Sequence, residues 1–224
     1  MSDTWALMPV KSLHRAKTRL AVLLQPQECA HLSRAMFMDV LAALQESQHV
    51  DRIAVLTSDE DVAALAGKLG HLVITDQPED GLCDSLNAAA RRIAALGAKT
   101  LLIVPADVPT ISARDIDELL ERHTSGLSIC PAIRDGGTNA LVCSPPDALP
   151  FQFGSDSARR HMDEAAKHNI AHARIPMHAY FRDIDTPDDL TWLASQQSAH
   201  NTLRFLRDAG IAARLGPGHP GVPA

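Results

Sequence analysis

Cysteine is scarce in this sequence. The 224 residues include four cysteines, which are widely spaced and form no CxxC pair. This spacing argues against a zinc ribbon and against a scaffold stapled by disulfides, and it favours free thiols in a reducing cytosol.

Long apolar runs and an excess of positive charge are absent too. No hydrophobic run approaches the roughly 20 residues needed to span a bilayer, and the N-terminus lacks the basic-then-apolar order of a secretion signal. The 27 acidic residues outnumber the 21 lysines and arginines, which gives a formal net charge of −6. Because no global basic field attracts nucleic acid or an anionic membrane, we expect a soluble cytoplasmic protein that binds neither.

The glycine-rich motifs that commonly hold phosphates are also missing. The sequence contains no GxxxxGKS or GxxxxGKT motif, and no GxGxxG follows a predicted strand. Neither a P-loop nor a dinucleotide-binding fold is therefore indicated, and any anion must be met by side chains placed locally.

Short β-branched runs alternate with segments of helical period in the first half of the chain. Strands are predicted at residues 5–10, 52–58, 71–76 and 100–107, and helices at 26–47, 84–96 and 112–120. The strands are almost continuously apolar, as strands buried on both faces are. This alternation predicts an α/β fold with a mostly parallel central sheet and helices on both faces.

The pattern changes after Gly126. Residues 127–133, 139–145 and 172–178 resemble strands, and helices are predicted at 156–168, after Pro187 and at 201–208. We expect antiparallel pairing in this half of a single domain that spans residues 1–210. The end of the chain is rich in Gly and Pro, so residues 211–224 are predicted to form a disordered tail.

A basic loop follows the first predicted strand. The stretch MPVKSLHRAKTRLA places Lys11, Arg15, Lys17 and Arg19 within nine residues of an acidic chain. Two interpretations are open: a solvated basic turn, or a loop that binds a triphosphate where the strand ends. The second is favoured by position, because ligands of open α/β sheets collect at the carboxyl ends of the strands.

Acidic side chains mark two further chain segments. Asp107 ends the run LLIVPAD, while Asp183 and Asp185 flank Ile184 in extended chain and point the same way. Such hard carboxylates suit Mg²⁺, which takes one or two protein carboxylates together with water and phosphate oxygens. The simpler alternatives are a turn acid before Pro109 for Asp107 and a helix-capping acid for Asp185.

Several of these motifs occur together in one enzyme family. The segments MPVKSLHRAKTRLA, PADVPTIS, GGTNALV, FGSDSARRH and DIDTPDDL stand in the order seen in the 2-phospho-L-lactate guanylyltransferase family of deazaflavin coenzyme biosynthesis, which this sequence resembles. The resemblance implies a single-domain nucleotidyltransferase with a fold like that of type A glycosyltransferases. It also implies GMP transfer from GTP to 2-phospholactate, phosphoenolpyruvate or 3-phosphoglycerate, with release of pyrophosphate.

The resemblance and the strand ends together assign roles to particular residues. Lys11, Lys17 and Arg19 are expected to be catalytic, with Asp107, Asp183 and Asp185 holding Mg²⁺. The expected nucleotide-binding residues are Pro9, Val10, Lys11, Lys17, Gly81, Leu82, Asn87 and Pro105. One departure concerns the base, since Cys83 stands where family members commonly have Asn.

The acceptor acid is expected at a predicted helix start. Ser157 and His161 are four residues apart and share a helix face, while Gly154 and Ser155 precede the helix where free N–H groups attract anions. Thr138 and Asn139 are expected to approach from the other side. For His161 alone, an ordinary buried or surface histidine is the alternative.

Two rival functions stay open from the sequence alone. A related nucleotidyltransferase of the molybdopterin or sugar-phosphate type would keep the basic loop and the acids, whereas a noncatalytic GTP-binding protein would not need the acids. A downstream enzyme that consumes the activated product is a further expected partner. No oligomeric state is predicted.

Overall fold

Seven strands and eight α-helices make up the computed structural model, which describes residues 3–13, 17–76, 81–196 and 200–215. The strands are β1 (Thr4–Val10), β2 (Arg52–Thr57), β3 (Leu72–Thr75), β4 (Thr100–Ile103), β5 (Gly126–Pro131), β6 (Thr138–Ser144) and β7 (His172–Arg174). The helices are α1 (Pro26–Glu46), α2 (Glu60–Lys68), α3 (Leu82–Ala95), α4 (Ala113–Arg122), α5 (Ser157–Lys167), α6 (Pro187–Ala194), α7 (Asn201–Asp208) and α8 (Ile211–Arg214). Short 3-10 turns lie at Thr18–Leu20 and His178–Tyr180.

One sheet contains all seven strands in the order β3-β2-β1-β4-β6-β5-β7. Strands β1 to β4 run parallel, β6 pairs antiparallel with both β4 and β5, and β7 runs parallel to β5. The predicted α/β class and the antiparallel pairing in the second half are both confirmed. The carboxyl ends of β1 and β4 meet at the same sheet edge, because these neighbouring strands run in the same direction.

Helices cover both faces of the sheet, as predicted. In β1, Met8 faces an apolar layer that contains Phe37 of α1 and Leu119 of α4. Leu7, the adjacent residue, faces a second layer that contains Ile93 of α3. This alternation explains why a strand with apolar residues at nearly every position is stable here.

Local capping explains where two of the helices begin. Ser112 and Asp115 form a capping box at the start of α4, as the motif SARD predicts. Helix α2 was not predicted, although Asp59 caps it by accepting from the N–H groups of Asp61 and Val62. Only Val62 and Ala66 of its nine residues are buried, so its apolar period is too weak to read from the sequence.

The C-terminal helices pack on the domain. Buried Asp39 accepts hydrogen bonds from the main-chain N–H groups of Asn201 and Thr202, which anchors the start of α7 to α1. Ile211 and Leu215 are buried in an apolar cluster, so the ordered chain continues past the predicted boundary at residue 210. Residues 216–224 of the predicted tail lie outside the described residues. In the described part, no helix is long and apolar enough to cross a membrane.

Candidate active site

A cavity of about 420 Å³ opens at the carboxyl ends of β1 and β4. Six of the predicted nucleotide-binding residues line it, namely Pro9, Val10, Lys11, Lys17, Leu82 and Pro105. Asp107 and Asp185 line the same cavity. The basic loop, the end of β4 and the late acidic segment therefore converge, as the strand-end argument predicts.

Lys17 contacts the acids directly. Its Nζ lies 2.9 Å from Oδ2 of Asp107 and 3.7 Å from Oδ1 of Asp185, and the lysine side chain is only 8% exposed. A solvated basic turn is therefore excluded for Lys17. Lys11, by contrast, is exposed on the cavity wall.

Arg19 lies at the rim of the same cluster. Its Nη1 donates to Oδ2 of Asp185 at 3.0 Å, while 67% of its side chain is exposed. Such an exposed pair contributes little to folding stability, so the guanidinium can exchange partners at small cost. Arg15, the fourth cation of the loop, lies outside the described residues.

The main chain brings the two acidic segments together. The N–H of Ile184 donates to the carbonyl oxygen of Asp107 at 2.9 Å, which places Asp183 and Asp185 on either side of that contact. Burial raises the pKa of Asp183, and the negative charge of Asp107 raises it further. Asp107 and Asp183 thus repel one another, and the positive charges of Arg134 and Lys17 offset part of that repulsion.

Arg134 and Asp189 complete the cluster, and neither was predicted as part of the site. Arg134 donates through Nη1 to Oδ2 of Asp189 at 2.7 Å and through Nη2 to Oδ2 of Asp183. Burial alone would raise the pKa of Asp189, but hydrogen bonds from Thr186 and from the N–H of Asp185 lower it. Asp189 therefore fixes both Arg134 and the acidic segment. Thr186 and Asp189 form a capping box, the one sequence signal that pointed to this acid.

The three acids predicted to bind metal are near each other but paired with cations. Within the described ranges, no group of three or more His, Cys, Asp or Glu side chains is arranged to hold a metal ion. Lys17 contacts two of the acids and Arg134 contacts the third. The donor set still fits magnesium in its chemistry, since it offers hard carboxylate oxygens that carry mutual repulsion.

Asn87 does not line the cavity at the ends of β1 and β4. Its Oδ1 accepts from the N–H of Phe151 at 2.8 Å, and its Nδ2 lies 3.5 Å from the carbonyl oxygen of Phe151. The expected contact with a base is therefore replaced by a loop-fixing role. Gly81 is exposed and directly precedes α3. The Sγ of Cys83 lies 3.6 Å from the carbonyl oxygen of Phe153.

The side chains expected to bind the acceptor bond to one another and to the main chain. Ser157 and His161 share a face, as predicted, and both are fully buried against Thr138, with the Oγ atoms of Ser157 and Thr138 at 2.8 Å. The Nε2 of His161 accepts from the N–H of Gln152 at 2.8 Å, and burial lowers the pKa of this histidine to about 4. Asn139 donates to the carbonyl oxygen of Tyr180 at 2.9 Å.

The start of α5 does not offer the free N–H groups that were expected. The N–H groups of Asp156, Ser157 and Ala158 donate to the carbonyl oxygens of Asp135, Gly154 and Gly136. Phe153 lines the cavity, however, and exposed Gly154 and Ser155 follow it directly. The buried network of Thr138, Ser157 and His161 thus supports a loop that reaches the cavity wall.

Known proteins resemble this chain in both sequence and fold. A family model described as "Guanylyl transferase CofC like" matches residues 4–219. The phosphoenolpyruvate guanylyltransferase of Roseiflexus castenholzii is 39% identical over 208 residues, which cover 92% of this chain and 95% of that protein. The 2-phospho-L-lactate guanylyltransferase of Methanothermobacter thermautotrophicus is 31% identical over 204 residues, with 91% and 90% covered. A solved structure from Desulfovibrio desulfuricans, assigned as a nucleotide-diphospho-sugar transferase, superposes with a TM-score of 0.79 at 21% identity and covers 96% of this chain and 99% of that one.

Proposed function

The chain belongs to the family of CofC-like guanylyl transferases, and on that premise we propose that it transfers GMP from GTP to a phosphorylated three-carbon acid. The observation that carries the proposal is the cavity at the ends of β1 and β4, where buried Lys17 meets Asp107 and Asp185. The cations suit a nucleotidyltransferase, because its substrates bring several negative charges to one place, and the carboxylates suit a divalent ion that accompanies the nucleotide.

The reaction requires no general base from the protein. A phosphate monoester is largely dianionic at neutral pH, since its second pKa is about 6. One of its oxygens attacks the α-phosphorus of GTP, and the bond from that phosphorus to the oxygen bridging to the β-phosphate breaks. Pyrophosphate leaves, and a new phosphoanhydride joins GMP to the acceptor.

The cations of the loop neutralise the triphosphate in this scheme. Lys11 is exposed on the cavity wall, and Arg19 is held only at the rim, so both are free to turn toward phosphate oxygens. Lys17 supplies the buried charge at the centre. These residues bind and orient the triphosphate and neutralise its charge. They also stabilise the negative charge that develops on the leaving pyrophosphate.

Magnesium is the cofactor that we propose for Asp107, Asp183 and Asp185. When bound, such an ion polarises phosphoryl oxygens and offsets their charge. The chain contributes the carboxylates, and Arg134 together with Asp189 keeps the segment that carries Asp183 and Asp185 in place.

We propose phosphoenolpyruvate as the first acceptor to test, with 2-phospholactate and 3-phosphoglycerate as alternatives. The name of the Roseiflexus relative supports this order. Exposed Gly154 and Ser155, beside Phe153 of the cavity wall, are the proposed contacts of the acceptor. In this account Thr138, Ser157 and His161 position that loop from beneath.

We also propose a cytoplasmic location and a downstream enzyme that accepts the activated product. The thiols of Cys130 and Cys143 are buried, and burial raises their pKa values to about 12 and about 11. Both cysteines are free, which suits a reducing compartment. The phosphoanhydride product is itself a reactive intermediate, so a second transferase is its expected consumer.

The test is a turnover screen read by mass spectrometry. Purified protein is incubated with Mg²⁺, one of GTP, ATP, CTP or UTP, and one of the three acids, and the products are identified by mass. We expect the anhydride of GMP and the acid, formed fastest with GTP. Faster turnover with another nucleotide would overturn the guanine assignment, and full activity in excess chelator would overturn the metal.

A further inference from the structure

The ammonium group of Lys17 lies between two carboxylates that we assign to a metal ion. Its Nζ is 2.9 Å from Oδ2 of Asp107 and 3.7 Å from Oδ1 of Asp185. The lysine side chain is 8% exposed, whereas the two acids are 33% and 28% exposed. The lysine side chain is thus more buried than either of the carboxylates that it contacts.

The backbone of Lys17 adopts an uncommon conformation. Lys17 has φ 61° and ψ 41°, in the left-handed region that side chains with a Cβ rarely adopt. It precedes the 3-10 turn Thr18–Leu20 without capping it through its side chain. Lys17 thus keeps an uncommon backbone conformation while its ammonium group donates to Asp107.

A divalent ion and this ammonium group would compete for the same oxygens. Magnesium binds carboxylate oxygens at about 2.0–2.1 Å and requires near-octahedral space around itself. An ammonium group within hydrogen-bond distance of Asp107 occupies part of that space and repels a second cation. Arg19 competes less because it is largely exposed, and Arg134 is held mainly by Asp183 and Asp189.

We propose that Lys17 is an exchangeable counter-ion for Asp107 and Asp185, so that the divalent ion enters together with the triphosphate and binds poorly alone. On binding of the metal–nucleotide complex, Asp107 and Asp185 would hold the metal, and the ammonium group of Lys17 would pair with a phosphate oxygen instead. The protein therefore selects the metal–nucleotide complex over the free ion. This inference rests on the proposed function for the identity of both ligands.

The experiment titrates Mn²⁺ into the full-length protein without nucleotide and follows free Mn²⁺ by electron paramagnetic resonance. Lys17→Met removes the ammonium group, and Lys17→Gln is a second variant with the same loss of charge. Lys11→Met is the matched control, since Lys11 lines the same cavity and makes no ion pair among the described residues. Asp107→Asn assigns the signal to this site, and circular dichroism verifies folding.

We expect both Lys17 variants to bind Mn²⁺ about tenfold more tightly than the wild type, a factor that corresponds to about 1.4 kcal/mol. Lys11→Met should stay within about twofold of the wild type, and Asp107→Asn should bind more weakly. Unchanged or weaker binding by the Lys17 variants, or loss of fold in both, would overturn the exchange. Because no turnover is measured, this result is independent of the guanylyltransferase assay: an active enzyme with unchanged Mn²⁺ affinity contradicts the exchange alone.

Discussion

Lys17 and Asp107 are ninety residues apart in the chain, and the Nζ of one lies 2.9 Å from Oδ2 of the other. Their contact follows from the sheet, since β1 and β4 pair in parallel with Leu7 opposite Ile103. The loop after each strand therefore emerges at the same edge. The basic loop and the acid are brought together by the pairing of two buried strands.

Lys17→Ala should abolish most of the activity while leaving the fold intact. Loss of one preorganised donor to developing charge costs about 2–4 kcal/mol, which corresponds to a roughly 30- to 1000-fold decrease in kcat/KM. Steady-state kinetics at varied GTP measure the loss. Lys167→Ala on the exposed face of α5 is the control and should behave as the wild type. A variant that melts normally and retains full turnover would show that Lys17 is not catalytic.

Asp107→Asn and Asp183→Asn should impair the use of both substrates together. Each change removes the negative charge of a carboxylate that we propose to hold Mg²⁺ between nucleotide and acceptor. We therefore expect kcat to fall and the Mg²⁺ concentration needed for half-maximal rate to rise. The exposed Asp208→Asn serves as the control. The assignment fails if either carboxylate variant keeps the wild-type Mg²⁺ requirement.

Ser157→Ala should act on the acceptor through the Phe153–Ser155 loop. The change removes the hydrogen bond between Ser157 and Thr138 beneath that loop, which costs about 1 kcal/mol of folding stability. We expect the acceptor KM to rise roughly three- to tenfold, with GTP affinity within about twofold of the wild type. Ser128→Ala also removes a buried hydroxyl but lies outside the cavity wall, so it should lose stability without a change in KM. Equal weakening of GTP and acceptor would place the loop in the nucleotide site.

His161 should make the protein less stable as the pH falls below about 6.5. Its pKa is about 4 in the folded state and about 6.5 when unfolded, so the unfolded chain binds more protons between these values. The contribution of His161 is fully present above pH 6.5, is lost progressively down to pH 4, and amounts to roughly 3 kcal/mol across that window.

Urea unfolding from pH 4 to 7 checks this dependence. His161→Gln should reduce the change in unfolding free energy between pH 4 and pH 6.5. His168→Gln, at an exposed position, should leave that change as it is in the wild type. If both variants keep the wild-type slope, His161 is not held neutral by burial.

The sequence predicted the architecture well because its main signals are local. Buried parallel strands are apolar along their whole length, and capping residues such as Ser112 mark helix starts. Helix α2 was not predicted, because few of its nine residues face the core and its apolar period is therefore weak. Helix α8 was not predicted, because its four residues are too few to show a helical period and they precede a Gly- and Pro-rich end.

The site was less predictable where its contacts are long-range. Arg134 reaches Asp183, 49 residues away, and no local pattern reports such a pairing. The helical spacing of Ser157 and His161 predicts that they share one face of a helix. It does not indicate whether that face is buried, as it is here. Asn87 likewise matched a family motif, and only its bonds to Phe151 show which way its amide points.

A ³¹P NMR measurement of a reaction with GTP, phosphoenolpyruvate and Mg²⁺ shows whether the protein joins GMP to a phosphorylated three-carbon acid. We predict that free pyrophosphate appears in step with a new pair of coupled phosphorus signals from the anhydride, and that both depend on the acid. Consumption of GTP to GDP and inorganic phosphate, or no acid-dependent anhydride with any of the three acids, would show that the protein does not transfer GMP to such an acid.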